Sequence, residues 1–155
     1  MQPNRGRGKL HAMAASKIAS IAALIGGACW LTKVALIWAN GGSNTDDGLV
    51  GVMFFVGLGF LVLALAAGGY ALVATGPIWL RGVVSVALPV MVSMVWQVID
   101  DLIKAIYTEE NWLQGELNII LAALIAVSLG LWKVRRSSSG GGDEPRHTRG
   151  NHIAR

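Results

Sequence analysis

Four stretches of this chain are each long enough and apolar enough to cross a bilayer: Ile18 to Ala39, Leu49 to Ala74, Ile78 to Ile103, and Leu113 to Trp132. A hydrocarbon core about 30 Å thick takes about 20 apolar residues as helix. Inside it every backbone N–H and C=O must be satisfied within the segment, so runs of this length read as helices and not as strands. The feature fixes the class at once: an all-α integral membrane protein. Composition agrees, since 14% charged residues is well below the roughly 25% of an ordinary soluble domain.

The connections are polar or helix-breaking. Asn40 to Gly48 reads "NGGSNTDDG", Thr75 to Pro77 reads "TGP", and Tyr107 to Asn111 reads "YTEEN". Glycine and proline end helices. Thr108 is placed to cap the fourth helix, with Glu109 and Glu110 favoured by the helix dipole in its first turn. Short turns make consecutive helices antiparallel neighbours, and the expected architecture is a compact up-down bundle of four transmembrane helices. The division expected is a basic N-terminal tail over 1–17, a transmembrane domain over 18–133 and a disordered basic tail over 134–155. Helices are placed at about 18–39, 49–75, 78–105 and 110–133. The last segment, rich in Ser, Gly and Arg, has too little apolar surface to fold alone.

Charge sets orientation. Arg5, Arg7, Lys9, Lys17, Arg81, Lys133, Arg135, Arg136, Arg146, Arg149 and Arg155 fall at one end of such a bundle. Asp46, Asp47, Asp100, Asp101, Glu109, Glu110 and Glu116 fall at the other, with Lys104 as the basic exception. Lysine and arginine favour the cytoplasmic side, so both termini are expected there. Trp38 and Trp112 then mark the outer interface, and Trp79 and Trp132 the inner one. A signal peptide is the rival reading of the N-terminus. Against it, the apolar run is 22 residues long, holds Lys33 and lacks a clear A-x-A exit. The Ala/Gly/Val-rich composition points to a bacterial inner membrane.

Small residues let membrane helices approach. Ala15, Ala19, Ala23 and Gly27 form such a stripe on the first helix, and Ala64 with Gly68, beside Ala67 and Ala71, on the second. They serve packing within the bundle or association with another copy or a partner membrane protein. Pro89 removes one backbone hydrogen bond inside the third helix and is expected to kink it.

The candidate site is polar and intramembrane: Lys33, Ser93, Gln97, Asp100, Asp101 and Glu116. On the third helix Pro89, Ser93, Gln97, Asp100 and Lys104 share a face about 80° wide. An amide unpaired in hydrocarbon costs a few kcal/mol, so Gln97 needs a partner or water. Lys33 sits within an apolar run, and three arrangements accommodate it. It snorkels to the outer headgroups, it pairs with Asp100, Asp101 or Glu116 at the outer helix ends, or it belongs to a ligand or ion site.

Other chemistry has little support. His11, His147 and His152 all lie in the tails, Cys29 is alone, and no Ser/His/Asp set, H-E-x-x-H or P-loop occurs. No cofactor, metal, catalytic activity or nucleic-acid partner is expected. In size and number of helices the chain resembles the small multidrug-resistance transporters. Those proteins carry an essential carboxylate in the first helix, where this chain has Lys33 and no acid, so no residue role is carried over. The function expected is a small multi-pass, non-catalytic membrane protein, structural, accessory or partner-binding. The alternative is a small transporter or channel with an outward-facing vestibule around Lys33, Gln97 and Asp100.

Overall fold

The computed structural model describes residues 5–42, 48–106 and 112–139. Outside them lie the acidic loop with Asp46 and Asp47, the proposed cap at Thr108 with Glu109 and Glu110, and the tail from residue 140 with His147 and His152. The described residues form four helices: α1 (Arg5–Ala39), α2 (Gly48–Leu72), α3 (Ile78–Ile106) and α4 (Trp112–Ser139). Each contains a stretch able to span a membrane, at 22 to 29 residues. The chain is a four-helix, multi-pass membrane protein whose outer surface is apolar and meets the lipid bilayer.

Two helices run further than their apolar cores. α1 begins at Arg5 and takes in the basic segment assigned to a tail, and α4 continues past Trp132 to Ser139. Alanine, lysine and arginine are strong helix formers. At the end of α4, Arg136 also lies over the Trp132 ring, with its guanidinium carbon 4.1 Å from the centroid. Cations there complement the helix dipole as well.

The end of α1 is a Schellman motif. Gly41 and Gly42 take positive φ of 71° and 80°. Their N–H groups donate to Trp38 O at 3.1 Å and Ile37 O at 3.0 Å. Only glycine adopts two such residues in succession without strain, which ends the helix sharply and turns the chain toward α2.

Neighbouring helices are antiparallel, as close approaches between them show. α1 meets α2 where Gly26 faces Gly57 and Leu61, and α4 where Gly27 faces Ala123 and Val127. A Cβ at Gly27 would lie 2.7 Å from Val127 Cγ2 and 3.0 Å from Ala123 O. At the other end of the same seam, Gly130 faces Leu24 and the Ser20 carbonyl. α2 meets α3 where Gly69 faces the Val84 carbonyl, 2.8 Å from where a Cβ would stand. The spatial order is α4–α1–α2–α3, and both described chain ends lie at the same end of the bundle. Of the small-residue stripes expected, Gly27 is used between α1 and α4. Gly68 faces open space, and its neighbour Gly69 makes the contact instead.

Packing is uneven. α1 holds the largest share of the core, with Ala22, Trp30 and Ile37, whereas no residue of α3 is buried. α3 rests on α2 and barely approaches α4, leaving a seam. Pro89 lies inside α3, which continues through it from Ile78 to Ile106. Trp38, Trp79 and Trp132 point outward at helix ends, as interfacial tryptophans do.

Candidate functional site

Lys33 is one turn past Trp30 on α1, on the side of the helix that faces both α2 and α4. It is 8% exposed, and so is Glu116 in the second turn of α4. The Lys33 ammonium donates to both Glu116 carboxylate oxygens at 2.7 Å. Its third side is aromatic: Nζ lies 5.4 Å from the centroid of Phe54 on α2. Phe54 stacks on Trp30 with centroids 5.9 Å apart and planes at 4°. Trp30 in turn donates its indole N–H to Phe54 O at 3.1 Å. One ammonium thus ties three helices together, with a carboxylate on one side and a ring face on another.

Of the three arrangements open to Lys33, the geometry is the ion pair, and the acid is Glu116. Asp100 and Asp101 are on α3, which packs on α2 and stands away from Lys33. Asp100 is engaged elsewhere: Lys104, one turn on, donates to its Oδ2 at 2.5 Å, and Asn118 Nδ2 of α4 donates to its Oδ1. Asp101 is exposed. Ser93 turns its hydroxyl back to Val90 O at 2.8 Å. Gln97 is exposed along α3 and borders the seam. The six candidate residues therefore form two separate polar groups, Lys33–Glu116 and Asp100–Lys104–Asn118, with Ser93, Gln97 and Asp101 outside both. Lys33, Gln97 and Asp100 do not share one polar lining.

Trp30, Phe54 and Asn118 were not anticipated as part of the site. Asn118 had a visible signal, an amide in an apolar run two residues after Glu116, comparable to Gln97. It is 7% exposed, and its Oδ1 has no hydrogen-bond partner among the described residues. Among them there is also no group of three His, Cys, Asp or Glu side chains placed to hold a metal ion.

The fold and the enclosed charge pair define a small multi-pass membrane protein with an internally neutralised polar layer toward its loop end. No family model, curated protein or solved structure matches the chain.

Proposed function

We propose that the chain is a non-catalytic, partner-binding component of an inner membrane, with both termini cytoplasmic. The observation that carries this reading is Gln97. Its amide lies within a spanning helix, toward the loop end, and is exposed at the open seam of a helix that buries nothing. Hydrocarbon offers no partner to an amide, and a neighbouring membrane helix supplies one. The open glycine face at Gly68 gives such a helix close approach to α2. The basic residues at the end of the bundle where the described chain begins and stops support a cytoplasmic placement of that end.

The transporter reading draws less support, because the Lys33 ammonium is occupied by both oxygens of Glu116. Two measurements separate the readings: purification in a mild detergent, and solute and ion flux in liposomes. Partner binding predicts a discrete complex, lost on Gln97→Leu with helix content unchanged, and no flux that depends on Lys33. A protein that purifies alone and moves ions at a rate changed by Lys33→Met overturns it.

A further inference from the structure

Between the four helices lies a cavity of about 520 Å³, open along the α3–α4 seam. Its position along each helix is consistent. It is lined over positions 19–30 of α1, 58–65 of α2, 89–97 of α3 and 122–133 of α4. The antiparallel register places Trp30, Gln97 and Ala122 near one level, just inward of the Lys33–Glu116 pair, with Leu58 about one turn nearer the chain ends, since Trp30 pairs with Phe54 and Gly26 with Gly57. From there the cavity runs toward the chain ends and stops at Lys133. Its depth along α1 is about 16 Å at 1.5 Å per residue. One leaflet of a hydrocarbon core about 30 Å thick is about 15 Å deep. The apolar run Ile18 to Ala39 has its midpoint near Cys29, so the cavity occupies one leaflet, the one at the terminal end.

The walls are almost wholly apolar, with Ala23, Leu61, Val92 and Ile125 as one representative from each helix. The mouth is basic. Lys133 lines it. Lys17 stands at the same level, because α1 and α4 pair Ser20 with Gly130 and each residue is three further toward the end. Arg136 follows one turn on, held over Trp132. Among the described residues the acids are Asp100, Asp101 and Glu116, all at the opposite end. A slot one leaflet deep, apolar within and cationic at its mouth, matches an amphiphile with a hydrocarbon tail and an anionic head.

The geometry points to a specific lipid site: one acyl chain of an anionic glycerophospholipid from the terminal-side leaflet fills the cavity, with its phosphate at Lys133 and Lys17. A basic pocket between membrane helices is the arrangement that selects such headgroups. The site is separate from the contact proposed at Gln97, which lies at the closed end of the cavity and nearer the loop-side leaflet.

The test is native mass spectrometry of the full chain, released from micelles doped with either phosphatidylglycerol or phosphatidylcholine of the same chain length. One phosphatidylglycerol retained per chain, several-fold in preference to phosphatidylcholine, is expected. Lys133→Gln should abolish the headgroup preference. Ala23→Phe and Val92→Trp, which fill the cavity from opposite walls, should each abolish retention while circular dichroism stays unchanged. Two filling variants guard against one that fails to fold. Equal retention of both lipids, or retention unaffected by both filling variants, would show annular lipid only and overturn the site. So would a cavity occupied by a second copy of the chain or by another protein, seen as a protein adduct that excludes lipid.

Discussion

Removing one member of the Lys33–Glu116 pair should unfold the bundle more readily than removing both. At 2.7 Å and an effective dielectric of about 20, the Coulomb attraction is about 6 kcal/mol. Taking the two ions out of water costs several kcal/mol each, so the intact pair contributes little net stability. Lys33→Met alone leaves the Glu116 carboxylate enclosed without its cation, and Glu116→Leu leaves the ammonium. Each single change should cost about 3–5 kcal/mol, whereas the double variant should lie within about 2 kcal/mol of the original. The cycle should therefore show a coupling of at least about 4 kcal/mol. Unfolding by titrating a mild-detergent sample with a denaturing detergent reads this through tryptophan fluorescence, to which the buried Trp30 contributes. A parallel cycle on Lys33 and Asp100, which lie in separate polar groups, should give coupling near zero. Single variants costing less than about 1 kcal/mol, with effects that add, would refute the reasoning.

Two further outcomes test the packing. Trp30→Phe removes the donor to Phe54 O but keeps the ring stack, and should cost about 1 kcal/mol in the same unfolding assay. Gly27→Leu places a branched side chain against Val127 and the Ala123 carbonyl. It should destabilise by about 1–3 kcal/mol or more, and reduce cross-linking between cysteines placed across the α1–α4 seam.

The four spans could be read directly from the residues, because lipid demands long apolar runs and the connections between them are polar or helix-breaking. Helix ends were less legible. Nothing in a hydropathy pattern says that "KVRRSSS" continues a helix in water, and α4 continues through it to Ser139. The need of Lys33 for an acid was also legible, since depth alone makes a bare ammonium costly. The identity of that acid was not. Asp100, Asp101 and Glu116 are all at outer helix ends, and only the order α4–α1–α2–α3 selects Glu116. That order depends on which glycine rows close: Gly69 and not Gly68 on α2, and Gly27 with Gly130 across α1 and α4. Spacing by four residues identifies candidate rows without ranking them. The same order explains why Gln97 borders an open seam, and why the cavity is open on one side.

Site-specific photo-cross-linking in intact membranes would show whether α3 meets a membrane partner at its polar face. A photoreactive residue would be placed in turn at Gln97 and Asp101 on one side of α3, and at Val95 and Leu102 on the opposite side at similar depth. A discrete protein adduct is expected from Gln97 and Asp101, and lipid adducts alone from Val95 and Leu102. Lipid adducts alone from all four positions, or the same protein adduct from both sides, would contradict such a contact.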